Sequence, residues 1–275
     1  MNNNFAVSTN SYHGFSVDEA LEGIAAAGFK YVELVAVKGW TEHIMPAMSM
    51  AEIDGIKNKL SSLGLSCIAL SGHCNLMDKQ RLDDFRQNIK LAGDLHCKYI
   101  VSSTGEAHFG KNEIFADDAL AENIKSLLPD LKNFGLELVL EVHGEYGTGE
   151  SLKRVVQKIG SDLVGVNYDT GNVVMYGGKK PEEEIKTCVD FVKFVHLKDK
   201  IGMGKEWNFP ATGKGELRLL EFMDYLTKHN YAGPYSIEIE YTEAFTMNPK
   251  KEGDLAIANR AVKDSYEYLA AHGYQ

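Results

Sequence analysis

Four acidic and imidazole side chains each follow a short apolar segment that is predicted to be a β-strand. They are Glu141, Asp169, His196 and Glu238. Three carboxylates and one imidazole form a donor set that suits a divalent cation such as Mn²⁺, Mg²⁺, Co²⁺ or Zn²⁺. A cation bound with open coordination positions could also bind two neighbouring substrate oxygens. The sequence therefore predicts a catalytic metal site, provided that the fold brings the four segment ends together.

Each of these residues also has a purely structural interpretation. A lone carboxylate at a strand end is usually a solvated rim group or half of an ion pair, and a lone histidine is usually hydrogen-bonded in the core. Four matched residues on successive strands are harder to explain in this way, because apolar strands rarely tolerate unpaired charge. The joint pattern therefore favours the metal site.

Other polar residues lie near the same or neighbouring segment ends and are candidates for substrate contacts. Lys198 shares strand parity with His196, so both side chains are expected to point to the same side of the strand. A hydrogen-bonded pair within the loop is an equal alternative for His143 and Glu145. The predicted substrate-binding residues are His73, His143, Glu145, Asn172 and Lys198, with Glu106 as a further candidate.

Two long loops are expected to border this site. Loop 36–48 contains Trp40 and loop 200–216 contains Trp207, and either ring could pack on a sugar face or only anchor its own loop. The second loop is rich in glycine but lacks a P-loop pattern, so a flexible lid is favoured over a phosphate cradle. Whether the substrate is phosphorylated stays open at this point.

The elements that must position these residues alternate between strand and helix. Strands are predicted at 5–8, 31–35, 66–70, 99–102, 138–142, 164–168, 192–196 and 235–239. Helices are predicted at 17–27, 50–63, 78–95, 113–134, 150–159, 181–189, 217–229 and 254–271. Strands separated by helices pair in parallel, because only a crossover returns the chain in the same direction.

Eight such units over 275 residues predict a closed (β/α)₈ barrel, a TIM barrel, in which the strand ends converge on one pocket. An open nucleotide-binding sheet is disfavoured because no GxGxxG fingerprint follows the first strand. No linker rich in proline and serine divides the chain. We therefore expect one domain over residues 1–275.

Composition excludes several classes of protein. Hydrophobic residues make up 44% of the chain and charged residues 25%, which is typical of a globular enzyme. The net charge of −10 argues against nucleic-acid and membrane-surface partners. No signal peptide or membrane-spanning run is evident, so a cytoplasmic protein is expected. Four cysteines without CxxC spacing are expected to be reduced, buried thiols: Cys67, Cys74, Cys97 and Cys188.

From Ser8 to the last helix the chain resembles the sugar phosphate isomerase/epimerase superfamily, the xylose-isomerase-like TIM barrels. The matching segments are Val17-Asp18-Glu19-Ala20-Leu21, Ala27-Gly28-Phe29, Val32-Glu33-Leu34, Leu140-Glu141, Tyr168-Asp169-Thr170-Gly171-Asn172, Val195-His196-Leu197-Lys198-Asp199, Thr212-Gly213-Lys214-Gly215-Glu216, Tyr231-Ala232-Gly233 and Ile237-Glu238. Together these segments are specific for the superfamily, but they do not identify one member of it.

The resemblance implies that Glu141, Asp169, His196 and a strand-eight glutamate are metal ligands. Glu238 is preferred for the last position, and Glu240 is the alternative. It also implies that Glu141 and Glu238 are catalytic. Many relatives have histidine where this chain has Asn172, which weakens the case for an epimerase. The apurinic endonucleases of the superfamily need further metal ligands, of which only His73 is a candidate, so DNA repair is disfavoured.

Three functions remain open at the level of sequence. The first is a metal-dependent isomerase or epimerase of a ketose or ketose phosphate, in which carboxylates move a proton through a metal-stabilised enediolate. The second is a metal-dependent dehydratase of an inosose- or dehydroshikimate-like substrate. The remote third is a non-catalytic sugar-binding barrel. Mn²⁺ is the expected metal, the partner is a small sugar or polyol, and a homodimer or homotetramer is expected from the resemblance.

Overall fold

Eight parallel strands close into a barrel in the computed structural model, which describes residues 4–105, 116–242 and 250–274. Each strand pairs with its neighbours in chain order, and β1 closes the barrel by pairing with β8. The predicted (β/α)₈ barrel is thus confirmed. The strands are β1 (Phe5–Ser8), β2 (Tyr31–Val35), β3 (Ser66–Ser71), β4 (Tyr99–Ser102), β5 (Glu137–Glu141), β6 (Val164–Asp169), β7 (Val192–Leu197) and β8 (Tyr235–Ile237).

Helices connect the strands and surround the barrel. In the described residues they are α1 (Val17–Ala27), α2 (Met50–Ser62), α3 (Leu82–Asp94), α4 (Asp117–Lys125), α5 (Leu128–Phe134), α6 (Gly149–Ile159), α7 (Asn172–Met175), α8 (Pro181–Glu184), α9 (Leu219–Lys228) and α10 (Asp254–Ala271). Short 3₁₀ turns lie at Thr9–Tyr12, Lys79–Arg81, Ile185–Thr187 and Val189–Phe191.

The single helix predicted over 113–134 is wrong. The described part of this segment contains two helices, α4 and α5, separated at residues 126–127. Pro129 lies in the first turn of α5. Because proline lacks an N–H donor and crowds the preceding turn, it is tolerated at a helix start but not in a helix interior. Apolar residues continue at helical spacing across residues 126–127, because both helices bury an apolar face. The sequence pattern therefore does not mark the break.

Local sequence signals account for how the first helices begin. Ser16 caps α1 by accepting from the Glu19 backbone N–H, and the Glu19 carboxylate accepts from the Ser16 N–H in return. Ser49 and Glu52 form the same capping box at α2. Gly28 ends α1 at a φ of 111°, a conformation that glycine adopts without steric cost.

Two apolar cores hold the barrel. The larger one lies between the strands and the surrounding helices. The smaller one fills part of the barrel interior with side chains from β3, β4, β5 and β7: Ala69, Tyr99, Val101, Val139 and Phe194. Side chains alternate along a strand, so β7 continues inward from Phe194 to His196 and then to Lys198 just beyond its end. The apolar layer therefore gives way to a polar one at the carboxyl ends of the strands.

Asp199 anchors the loop that follows β7. Its carboxylate accepts the backbone N–H groups of Lys200, Gly213, Gly215 and Leu217 at 2.9–3.2 Å. A Cβ on Gly215 would lie 2.2 Å from the Asp199 carboxylate, so only glycine fits there. This hydrogen bonding fixes both ends of loop 200–216 next to the strand ends.

Two further sequence predictions concern membrane-spanning helices and the cysteines. Among the described residues, none of the helices combines the length and apolarity needed to cross a membrane. All four cysteines are free thiols; Cys74, Cys97 and Cys188 are buried, and Cys67 is half-buried.

Candidate active site

Glu141, Asp169, His196 and Glu238 meet at the carboxyl ends of β5, β6, β7 and β8. One potential ligand atom from each lies within 4.8 Å of all the others, and all four residues are buried. Parallel strands in a barrel direct their carboxyl ends to one face, which is why residues far apart in sequence converge here. The arrangement offers three carboxylates and one imidazole to a single point.

Asp169 presents one oxygen to this point and uses the other for the backbone. Its Oδ1 accepts the N–H groups of Gly171 and Asn172 at 2.8 and 2.7 Å, at the start of α7. Its Oδ2 is buried and accepts no hydrogen bond of good geometry from the described residues, although the Lys198 ammonium lies 3.3 Å away. A buried carboxylate oxygen without a well-aligned donor is costly, and a divalent cation would satisfy it. The residues therefore fit a metal ion.

His196 lies between two sets of carboxylates. Its Nδ1 is 3.2 Å from Glu141 Oε1 and 3.6 Å from Glu238 Oε2, and its Nε2 is 3.0 Å from Glu33 Oε2. Burial alone would lower the pKa of His196, but the charges of Glu33, Glu141 and Glu238 outweigh it and raise this pKa well above its usual value. A proton and a metal ion would compete for the same Nδ1 lone pair.

Glu141 is held from both sides by neutral donors. Asn172 Nδ2 donates to its Oε1 at 3.1 Å, and His73 Nε2 lies 3.1 Å from its Oε2. The Ser103 N–H donates to His73 Nδ1 at 2.9 Å, so Nε2 carries the proton that His73 gives to Glu141. Burial raises the pKa of Glu141 to about 8; His196 opposes the rise, and Glu238 and Asp169 add to it.

Lys198 places a buried ammonium against the same carboxylates. Its Nζ lies 2.6 Å from Glu238 Oε2, 2.9 Å from Glu240 Oε2 and 3.3 Å from Asp169 Oδ2. Burial alone would lower the pKa of Lys198, but the three carboxylates raise it well above its usual value. The ammonium therefore stays charged and partly neutralises the site.

The strand-eight glutamates have different surroundings. Glu238 contributes an oxygen to the four-residue group, whereas Glu240 lies beyond it and pairs with Lys198. Asn10 Nδ2 donates to both carboxylates at 3.0 Å. The geometry favours Glu238 over Glu240 as the fourth ligand.

Two residues that the sequence did not single out complete the site. Asn10 lies two residues beyond the end of β1, and its Oδ1 accepts from Trp40 Nε1 at 3.0 Å and Thr41 Oγ1 at 2.8 Å. Glu33 lies within β2 and is fully buried. A signal existed for Glu33, because a carboxylate inside an apolar strand needs a buried partner. Asn10 gave none, since asparagine after a strand is common in turns.

The side chains predicted to contact substrate fall into three groups. His73, His143, Asn172 and Lys198 line the cleft above the four residues. Glu145 is exposed and does not line it, because the backbone turns back between residues 143 and 146 through a glycine with a φ of 55°. Glu106 lies outside the described residues.

The cleft is lined by the polar side chains described above together with apolar and aromatic ones. One wall is aromatic: Trp40 and Trp207 lie with ring centroids 6.3 Å apart, and Phe209 packs 6.0 Å from Trp207. His13 stacks on Trp40 at 4.3 Å. Both predicted tryptophans thus line the cleft.

Replacing Asn10 by alanine should destabilise the protein. The change removes the donor shared by Glu238 and Glu240 and the acceptor of Trp40, leaving buried polar groups unsatisfied. Hydrogen bonds to charged groups contribute about 1.5–3 kcal/mol each, so we expect the free energy of unfolding to fall by about 2–3 kcal/mol. Chemical denaturation with Trp fluorescence measures it. A fall under about 0.5 kcal/mol would show that the Asn10 hydrogen bonds are not significant.

Metal binding should release at least one proton near neutral pH, from Glu141 and also from His196 Nδ1 where that nitrogen is protonated. Glu141, with its pKa near 8, is mostly protonated at pH 7 in the metal-free protein, and only its carboxylate form binds metal. Affinity for Mn²⁺ should therefore rise from pH 5 to 8. Because this pKa is raised from 4.5, the metal-free protein should lose stability over the same window as pH rises. Calorimetry in buffers of different ionisation enthalpy counts the proton, and no release at pH 7 would contradict the prediction.

Comparison with known proteins agrees with the architecture. A model described as "Xylose isomerase-like TIM barrel" matches residues 21–271. Among solved structures, a D-psicose 3-epimerase with D-tagatose from Clostridium cellulolyticum H10 has a TM-score of 0.76 at 14% identity, over 99% of this chain and 100% of that one. A xylose isomerase-like TIM barrel protein from Mycobacterium smegmatis in complex with magnesium has a TM-score of 0.73 at 14% identity, over 98% and 97%. These likenesses show the fold.

Curated relatives have a different activity from the first of these structures. An inosose dehydratase from Geobacillus kaustophilus is 22% identical over 204 residues, covering 67% of this chain and 62% of the relative. One from Clostridium botulinum strain Alaska E43 is 28% identical over 155 residues, covering 50% of each. The chain thus spans about three fifths or less of the length of these curated relatives. With the family model matching nearly its whole length, the chain belongs to the xylose isomerase-like TIM barrel family.

Proposed function

We propose that the protein is a divalent-metal-dependent dehydratase that eliminates water from a cyclic polyol ketone of the inosose type. The observation that carries this proposal is the position of Lys198. Its ammonium lies in the same cleft as Glu141, so the cleft holds both a proton acceptor and a proton donor. The inosose dehydratases among the curated relatives support the same reaction class.

Elimination begins with removal of the proton on the carbon beside the carbonyl. Glu141 is the proposed base: its buried carboxylate lies in the cleft and is ionised when the metal is bound, so it can accept a proton. His73 donates to Glu141 Oε2 and orients it, while Asn172 donates to Oε1. A metal held by Glu141, Asp169, His196 and Glu238 would polarise the carbonyl as a Lewis acid.

The second half of the reaction expels the β-hydroxyl. As the C–H electron pair forms the C=C bond, the bond from the neighbouring carbon to oxygen breaks, and the hydroxyl must take a proton to leave as water. Lys198 is the proposed donor, because its Nζ is the only ammonium or guanidinium among the described residues that line the cleft. The product is a 2-hydroxyenone, which tautomerises to a diketone.

The substrate is proposed to be uncharged. Lys198 already faces Asp169, Glu238 and Glu240, so three carboxylates surround the one cationic side chain. A phosphate group would be repelled by this excess of negative charge. The aromatic wall of Trp40 and Trp207 offers a surface for the C–H face of a ring.

Ketose 3-epimerisation or isomerisation is the second candidate, favoured by the position of Glu141 and Glu238 in one cleft. Epimerisation needs an acid that returns a proton on the opposite face. Burial would raise the pKa of Glu238, but Lys198 and His196 outweigh it and lower this pKa to about 2. A carboxyl with this pKa is ionised at neutral pH and holds no proton to return to the substrate, so dehydration is the first proposal. A sugar-binding barrel without catalysis is the third.

Further parts of the proposal concern the protein's state. Mn²⁺ is the proposed metal, because a site with three oxygen ligands and one nitrogen ligand suits it. A homodimer or homotetramer acting in the cytoplasm is also proposed. Light scattering of the purified protein measures the oligomeric state, and a monomeric mass at micromolar concentration would refute that part.

The experiment compares substrate classes in D₂O. Mn²⁺-loaded protein is incubated with an inosose, dehydroshikimate, and a panel of ketopentoses and ketohexoses, and NMR follows the products. EDTA-treated protein is the control, with Mn²⁺ added back. Loss of water from the inosose, dependent on Mn²⁺, supports the proposal. Deuterium at C3 of a ketose with a new diastereomer would make the protein an epimerase, and metal binding without reaction on any compound would favour the sugar-binding barrel.

A further inference from the structure

Glu33 is a fully buried carboxylate whose two oxygens face the ring of His196. It lies in β2, and its Oε1 and Oε2 are 3.1 and 3.0 Å from His196 Nε2. No other hydrogen bond to its side chain is present among the described residues, and none of the lysines or arginines among them forms an ion pair with it. The pairing of β2 with β3 shifts register between Val32 and Glu33. Such irregularities often redirect a side chain at a functional site.

The two edges of the His196 ring have different roles in this geometry. Nε2 faces Glu33, whereas Nδ1 faces the carboxylates of Glu141, Asp169 and Glu238 at 3.2–3.8 Å. An imidazole that donates its Nε2 proton to a carboxylate keeps Nδ1 available as a ligand and holds the ring plane fixed. Glu33 therefore lies where it can determine which nitrogen faces the metal group.

We propose that Glu33 is a positioning residue that holds His196 with Nε2 protonated and Nδ1 directed at the metal. It would not touch the metal or the substrate itself. Outer-shell carboxylates of this kind change metal affinity by about 10–100-fold when they are replaced. This inference rests on the metal site of the proposed function and not on which reaction the site catalyses, so failure of the dehydratase assay leaves it intact.

A purely structural role makes a different prediction. Removing one member of a buried ion pair is destabilising, because the other charge stays buried without its partner. If Glu33 only stabilised the barrel, its replacement would shift the melting temperature and leave metal affinity unchanged. If Glu33 positions His196, replacing Glu33 lowers the metal affinity by more than any change in the stability of the metal-free protein explains.

The test is Mn²⁺ affinity, measured by titration calorimetry on the purified protein and its Glu33→Gln variant. The matched control is Glu184→Gln, because Glu184 is also buried but accepts from the Glu150 backbone N–H and the Thr187 hydroxyl, away from the cleft. We expect the dissociation constant to rise 10–100-fold for Glu33→Gln and to stay within twofold for Glu184→Gln. A change within twofold for Glu33→Gln, or an equal loss in both variants, would overturn the proposal.

A measurement on the unmodified protein decides the case if Glu33→Gln fails to fold. In protein loaded with Zn²⁺, which is diamagnetic, ¹⁵N NMR of the histidine rings reports which nitrogen of His196 carries the proton. The His196→Gln variant assigns the signal. We expect a protonated Nε2 that exchanges slowly with solvent, and Nδ1 shifted by the metal. Metal on Nε2, or a proton on Nδ1, would overturn the proposal.

Discussion

Replacing Glu141 by glutamine is expected to abolish Mn²⁺ binding and to lower turnover by at least about 10³-fold, within the range of general acid–base catalysis. The variant loses a proposed metal ligand and the proposed base in one step. His196→Ala should likewise lose metal and activity. Both proteins should stay folded, because the two apolar cores do not include these residues. In metal-free Glu141→Gln, stability should even rise slightly, since a buried carboxyl with unfavourable charges around it is replaced by an amide.

The control for Glu141→Gln lies on the same strand. Glu137 begins β5 and pairs with Lys193 at 2.5 Å outside the barrel interior, so Glu137→Gln makes the same chemical change without touching the cleft. Elemental analysis and circular dichroism are compared for the two variants. Wild-type metal content in Glu141→Gln, or equal loss of metal in Glu137→Gln, would refute the assignment of Glu141.

The Lys198→Met variant should have lower turnover without a loss of Mn²⁺ affinity. Turnover is expected to fall about 10²–10⁴-fold, because the proposed acid for the departing hydroxyl is gone. Mn²⁺ affinity should be unchanged or higher, since the ammonium no longer neutralises Asp169 and Glu238 and a cation would take its place. Without metal, the variant should be less stable, because three buried carboxylates lose their nearest cation.

Lys193→Met is the matched control for this prediction. Lys193 lies on β7 as well, but it faces Glu137 away from the cleft. Steady-state kinetics, Mn²⁺ calorimetry and thermal unfolding are measured on both variants. If Lys198→Met keeps full turnover on the inosose, Lys198 is not the acid. If it loses metal together with activity, Lys198 supports the metal site and the dehydration mechanism loses its donor.

The sequence predicted the barrel because strand and helix periods alternate so regularly, and α10 was predicted with its observed bounds, 254–271. The break between α4 and α5 was missed because apolar spacing persists across it. The four-residue group was also predicted from the sequence, since a barrel brings its strand ends together regardless of their distance along the chain.

The rest of the site depends on packing that no local pattern encodes. Glu33 contacts His196 across the barrel interior, from a strand five positions earlier in the chain order. Asn10 reaches Glu238 and Glu240 only because β1 closes against β8. Glu145 is carried away from the cleft by one tight turn. Each of these depends on a long-range contact or on a single backbone conformation.

We propose that Glu141, Asp169, His196 and Glu238 hold one divalent cation at the carboxyl ends of β5 to β8. The most direct measurement is a crystal structure of the protein soaked with Mn²⁺, with anomalous diffraction used to locate the ion. We predict a strong anomalous peak within bonding distance of an oxygen of each carboxylate and of His196 Nδ1. A peak elsewhere, or none at this point under saturating Mn²⁺, would contradict the claim.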